Sequence, residues 1–267
     1  MTVSDSTAPV LSPRLDKFGH DLAMDKTAAC TALRTDLEAA GGPLIEPLPD
    51  GNVLVTFVFE AAGVERVSVS CQLWPGDGMA GTSLSKLADT DFWYASVVAD
   101  PRVSVAYEYR VDPPELPAEA GELLAFLGDM ERAIPFFIAM VAAARHDPYN
   151  KVILPGHPFV NPKSHVLNLP KSEALAYDPD ADLVGEIRTV TMSAPSLPGE
   201  RPVDIYLPPG FREGERLPLV IVLDGELLVA GQLHALLDQA IQRGDLPPMV
   251  AVFWSNLSPT SRMTEYA

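Results

Sequence analysis

Hydrophobic positions along residues 53–111 recur with a period of two. Val53, Val55, Phe57 and Phe59 alternate with smaller residues, and Val67, Val69, Cys71 and Leu73 alternate with Arg66, Ser68, Ser70 and Gln72. Val103, Val105, Tyr107, Tyr109 and Val111 alternate with Ser104, Ala106, Glu108 and Arg110. This period predicts strands with one buried and one wet face. Phe92 to Val98 predicts a further strand, and Pro49-Asp50-Gly51, Pro75-Gly76-Asp77-Gly78 and Asp100-Pro101 supply turns. Short strands at this spacing predict an antiparallel sandwich of immunoglobulin-like architecture. Ahead of them, Leu22, Ala29, Leu33 and Leu37 share one face of a helix predicted over 21–40, which Gly41-Gly42 stops. The polar residues 1–16 read as a mobile tail.

The pattern changes after the strands. Residues 112–121, rich in Pro and Glu, read as a connector. Two helices are predicted, Glu122 to Met130 and Phe136 to Arg145, with Pro135 at the first turn of the second. Leu123, Phe126, Leu127, Phe137 and Met140 read as packing groups. Proline is frequent in 146–183, which predicts a linker without regular structure. Leu183 to Met192 and Pro202 to Leu207 then read as strands. Leu219 to Leu223 is a continuous apolar run, expected of a strand buried on both faces. Glu226 to Arg243 has helical spacing and ends at Gly244, and Met249 to Trp254 is another apolar strand. Strand, helix, strand in this order predicts a parallel α/β sheet. The chain therefore divides into a tail and helix (1–41), a β domain with a helical insertion and linker (42–183), and the first part of an α/β domain (184–267).

Of 267 residues 47% are apolar, so a sizeable core is expected, and the net charge of −17 argues against nucleic acid or an anionic membrane as partner. Cys30 and Cys71 form no Cys-x-x-Cys and no zinc spacing, which predicts reduced thiols and no metal or other cofactor; a disulfide between them is the alternative. The longest apolar run, Ala133 to Ala144, is too short for a bilayer, and the first residues lack a signal-peptide pattern. A soluble, cytoplasmic protein is expected.

Several segments, in order, resemble the enterochelin (enterobactin) esterase family. They are Gly42-Pro43-Leu44-Ile45-Glu46, Asp91-Phe92-Trp93-Tyr94, Asp147-Pro148-Tyr149-Asn150 and Ser164 to Pro170. Leu223-Asp224-Gly225-Glu226, Leu246 to Val252 and Arg262-Met263-Thr264-Glu265-Tyr266 continue the series. The resemblance implies an immunoglobulin-like domain ahead of an α/β-hydrolase domain. It also implies a ferric catecholate siderophore as substrate, hydrolysed at its ester bonds to release iron in the cytoplasm, with the iron already held by the siderophore.

Serine ester hydrolysis needs a nucleophile, a histidine base, an orienting acid and an oxyanion hole. In α/β-hydrolases the serine sits in Gly-x-Ser-x-Gly. The nearest string, Gly81-Thr82-Ser83-Leu84-Ser85, ends in serine and lies among the predicted β strands, so a loop is expected. The fold's triad order is Ser, Asp or Glu, then His. The resemblance places the serine after Tyr266, and His20, His146, His157, His165 and His234 read as surface, linker or packing groups. No catalytic residue is expected within 1–267, and the chain is expected to be inactive alone.

Two elements of a site remain. The second oxyanion donor in this fold comes from the loop after the strand at Leu219–Leu223, where Gly225 and Glu226 stand. The plainer reading is a strand-to-helix turn with Asp224 as N-cap. By resemblance Arg262 faces an anionic catecholate; as a lone residue it reads equally as a solvated charge. Trp74, Trp93 and Tyr94 suggest a ligand platform, although core packing is the preferred reading for Trp93. Two alternatives stand beside the esterase reading. One is a non-catalytic β-sandwich module that binds a siderophore, a glycan or another chain. The other is a second polypeptide that completes the sheet and triad. In the family's sheet order the Leu219–Leu223 strand pairs with a fifth strand, so its outer edge is expected to be open to self-association.

Overall fold

The computed structural model describes residues 12–74, 81–115, 126, 129–153, 163–173, 178, 180–193, 199–258 and 265. They fall into two compact units, one within 1–154 and 163–174, the other within 155–162 and 175–267. Both are built mostly from antiparallel strands with a few helices.

The first unit opens with two helices, α1 (Pro13–Met24) and α2 (Lys26–Ala40). The single helix expected over 21–40 is therefore a pair, and residues 13–16 belong to α1 rather than to a tail. Ser12 caps α1 by accepting the Leu15 N–H, with proline in the first turn. Asp25, in an extended conformation, ends α1 and caps α2 by accepting the Ala28 N–H at 3.0 Å. Gly41 then closes α2 with a left-handed φ of 68°, which glycine adopts without steric cost.

Two sheets follow. One runs β1 (Leu44–Pro47), β2 (Val53–Glu60), β6 (Phe92–Ala99) and β5 (Ser85–Lys86). The other runs β4 (Thr82–Ser83), β3 (Val67–Cys71), β7 (Ser104–Val111) and β8 (Ala144–Arg145), with β9 (His165–Asn168) also on β7. Val55, Phe57 and Trp93 from the first sheet meet Val69, Tyr107, Tyr109 and Leu167 from the second in one core. Trp93 packs there and donates its indole N–H to the Ala61 carbonyl at 3.1 Å.

The wet face expected for β2 is absent. Leu15, Phe18, Leu33 and Leu37 of the two helices cover that side together with Val58 and Phe92. Val53 to Val58 are consequently all buried, and each large apolar group so covered contributes about 1.5–3 kcal/mol. Thr56, buried among them, is satisfied by the Ser96 hydroxyl at 2.8 Å.

Two other expectations change. Helix α3 (Met130–Ala143) runs through Pro135 rather than starting there. The proline forfeits one hydrogen bond, and the burial of Ala133, Phe136, Met140 and Ala143 holds the helix together. Most of the helix expected over Glu122 to Met130 lies outside the described residues. The stretch 146–183 is not irregular throughout, because β9 runs antiparallel to β7 from Ser104↔Asn168 to Tyr107↔His165. The expected disulfide alternative is excluded, since Cys30 and Cys71 are both free. Among the described residues no helix is long and apolar enough to cross a membrane.

The second unit contains β10 (Glu186–Met192), β11 (Arg201–Leu207), β12 (Leu219–Leu223) and β13 (Val250–Trp254), with helices α4 (Gly225–Ala230) and α5 (Leu233–Arg243) between the last two strands. The sheet order is β10-β11-β13-β12. The β10–β11 and β11–β13 pairs are antiparallel, and β12–β13 is parallel. Val222, Tyr206, Ala251 and Phe253 pack with Val229, Leu233, Leu237 and Ile241 of the helices. On the opposite face Leu219, Ile221 and Leu223 are 60%, 63% and 52% exposed. The strand expected to be buried on both faces is thus covered on one.

Candidate functional site

Strands β12 and β13 are parallel and end side by side, so the loops that follow them emerge at one edge. In open α/β sheets ligands bind outside the carboxyl ends of the strands. The chain leaves β12 through Asp224, whose φ of 56° is left-handed, and enters α4 at Gly225.

Gly225 is fully packed. A Cβ there would lie 2.5 Å from the Phe253 carbonyl carbon and 2.7 Å from the Trp254 nitrogen. The close approach that glycine permits is therefore to the backbone of β13. Gly225 and Glu226 are the first two residues of α4, and N–H groups at that position have no carbonyl a turn earlier in the helix to receive them.

Asp224 does not cap α4 with its side chain. Its left-handed backbone departs from the extended conformation that directs a capping oxygen at the first turn. The carboxylate instead accepts the Asn256 side-chain amide at 2.7 Å. Glu226 accepts the Asn256 backbone N–H at 3.0 Å and its side-chain amide at 3.2 Å. Asn256 thus ties the loop after β13 to the loop after β12. Sequence reasoning missed it. Its one signal was position, two residues beyond a strand parallel to β12.

Arg262, the sequence-derived substrate contact, lies outside the described residues. Glu265 of the same motif is described, and it forms an ion pair with Arg201 at the start of β11. One oxygen accepts from Nη2 at 3.1 Å and the other from Nη1. Both side chains are buried, and the guanidinium lies 5.2 Å from the centroid of the Trp254 ring. Nothing in the sequence distinguished Arg201 from an ordinary strand-end charge.

A second buried anion organises this unit. Asp238 on α5 accepts the N–H groups of Val184 and Gly185 at 2.9 and 2.8 Å, the Tyr206 hydroxyl at 2.8 Å and the Gln242 amide at 2.7 Å. Burial, reinforced by this carboxylate, pushes the Tyr206 phenol upward. The cluster fastens α5 to β11 and to the chain entering β10.

In the first unit the Asp147–Asn150 motif is a buried lock. Asp147 accepts the Tyr107 hydroxyl at 2.6 Å and the Tyr149 N–H at 2.8 Å. Asn150 donates to the Val166 carbonyl at 2.9 Å and to the Tyr107 oxygen at 3.0 Å. His165 Nε2 accepts the Asp147 N–H at 3.0 Å and lies 3.3 Å from His146 Nδ1. His146 and His165 are thus packing partners. His20 Nδ1 meets the Asp16 carbonyl, and burial lowers the pKa of His234. His157 lies outside the described residues. The Gly81-Thr82-Ser83-Leu84-Ser85 string forms short strands, with Ser83 opposite Ser68 and Ser85 opposite Tyr94.

A family model described as putative esterase matches residues 194–266. The chain is 25% identical over 248 residues to the iron(III) enterobactin esterase of Yersinia enterocolitica, which covers 84% of this chain and 68% of that protein. The ferric enterobactin esterase structure of Salmonella typhimurium aligns with a TM-score of 0.59 at 19% identity, over 84% of this chain and 59% of that one. The Shigella flexneri enterobactin esterase, solved in the presence of enterobactin, aligns at 0.55 and 20% identity over 84% of this chain and 57% of its own. The chain thus spans less than two thirds of these solved structures, and at such identities they speak for the fold.

Proposed function

We propose that this chain is the front part of an enterochelin-type esterase that acts on the ester bonds of a ferric catecholate siderophore in the cytoplasm. On this reading residues 42–183 form an immunoglobulin-like sandwich, and 184–267 form the opening strands of an α/β-hydrolase sheet. The observation that carries it is the order β10-β11-β13-β12, with a parallel pair inside an otherwise antiparallel sheet. This order puts the loop after β12 where the fold's second oxyanion donor belongs.

The first-turn N–H groups of Gly225 and Glu226 then supply that donor. Such groups stabilise charge that develops on a carbonyl oxygen because they are already oriented and need no reorganisation. Asn256, by holding Asp224 and Glu226, fixes the loop that carries them. Arg262 supplies a permanent positive charge to the anionic catecholate. The serine, its histidine and the orienting acid come from polypeptide outside 1–267, so residues 1–267 alone do not hydrolyse the substrate.

A chimera tests this. The chain is fused, after β13, to the remaining catalytic segment of an enterobactin esterase and assayed on ferric enterobactin beside the unfused chain. Turnover by the chimera alone, lost on replacement of the imported serine, supports the proposal. Hydrolysis by the unfused chain that disappears with a substitution inside 1–267, or a folded chimera without activity, overturns it.

A further inference from the structure

Strand β12 is paired on one side, with β13, and among the described residues no strand lies on its other side. The direction of its backbone groups follows from one hydrogen bond. The Val250 N–H donates to the Pro218 carbonyl at 2.9 Å. Successive residues of a strand present their backbone groups to alternate edges. Val220 and Val222 therefore face β13 with Pro218, and Leu219, Ile221 and Leu223 present N–H and C=O to the open edge. The missing N–H of Pro218 falls on the β13 side, where it does not interrupt that edge.

The open edge is also apolar. The side chains of Leu219, Ile221 and Leu223 are each more than half exposed, and no charged residue, proline or bulge protects the strand between them. Natural edge strands usually carry one of these devices against pairing with another chain.

We infer that this edge pairs with the same edge of a second copy, antiparallel, about a two-fold axis through Ile221. In that register Ile221 faces Ile221 and Leu219 faces Leu223, and each facing pair has its N–H and C=O groups correctly directed to exchange two hydrogen bonds. Charge selects the antiparallel register. Exposed Arg216 precedes the strand, and Asp224 and Glu226 follow it. The two-fold places Arg216 of each copy at the acidic end of the other, whereas a parallel pairing sets like ends together. Self-repulsion from the net charge of −17 and the short strand keep the association weak and concentration-dependent. The inference rests on the sheet topology and is independent of the ester-hydrolysis reading.

The test uses the full chain with Cys30→Ser as background, because Cys30 is partly exposed. Ile221→Cys and Leu219→Cys are each treated with a short thiol–thiol cross-linker. Facing residues in a hydrogen-bonded pair lie about 5.5 Å apart. The two Leu219 positions, four residues out of register, lie about 13 Å apart. The expected result is a covalent dimer from Ile221→Cys and almost none from Leu219→Cys. Sedimentation of the unmodified chain should show mass rising towards twofold with concentration, abolished in Ile221→Lys with unchanged circular dichroism. Equal cross-linking of both cysteine variants, open-ended aggregation, or a monomer at every concentration overturns the inference.

Discussion

The Tyr107 hydroxyl donates to the Asp147 carboxylate at 2.6 Å, and both residues are buried. Forty positions separate them in sequence, and the bond closes the 146–150 segment onto β7. The same carboxylate organises its own turn by accepting the N–H groups of Tyr149 and Asn150. Tyr107→Phe removes one donor from a buried anion and should cost about 1–3 kcal/mol. Urea unfolding followed by Trp74 and Trp93 fluorescence, both in the first unit, measures it. Asp147→Ala should cost more, since it orphans the hydroxyl and two N–H groups together.

His165 makes the stability of this unit depend on pH. Its Nε2 accepts the Asp147 N–H, so the proton sits on Nδ1, which is buried without a partner. Burial, helped by His146 and opposed by Asp147, lowers the imidazole pKa below its ordinary value. The unfolded chain therefore takes up a proton first as pH falls. Stability should be constant above about pH 6.5, decline below it and level off under the folded pKa. His165→Gln retains an acceptor without titrating, and its unfolding midpoint should lose most of this slope.

Gly225→Ala should destabilise the second unit by about 1–3 kcal/mol or more, because its Cβ meets the fixed backbone of Phe253 and Trp254. Faster amide hydrogen exchange along β13, with β2 and β7 unchanged, is the expected signature. A neutral substitution would mean that α4 shifts freely, and a rigid oxyanion loop would then be excluded.

Glu265→Ala leaves the Arg201 charge buried without this carboxylate. Breaking such a pair costs about 3–5 kcal/mol. The variant should be cut by protease after β13 at concentrations that spare the parent. Replacing both residues together, with Arg201→Met and Glu265→Leu, should recover most of the loss.

Period-two alternation identified β2, β3, β6 and β7 because their inner faces, with Tyr107 and Tyr109 among them, pack on one shared core. The same reading gave β2 a wet face, because alternation in one segment carries no information about helices that pack over it. Residues 146–183 looked irregular for a related reason. Proline density reports local conformational preference, whereas β9 is held by its pairing with β7 and by Asn150 on the Val166 carbonyl. In the candidate site Gly225 and Glu226 were legible because a glycine-containing turn after an apolar strand is a local pattern. Asn256 and Arg201 were not, since each acquires its role from residues 30 and 64 positions away.

By itself the sequence determined which segments are strands and helices, where the chain changes from alternating to continuous apolar strands, and that no complete hydrolase triad is spelled out within it. These are properties of neighbouring residues, set by backbone preference and side-chain period. The tertiary structure decided that β12 lies outside β13, that its apolar run has one covered face, and that the loops after both strands are tied by a single asparagine. Those facts depend on which strands pair and in what direction, and pairing is a long-range choice made by the whole sheet.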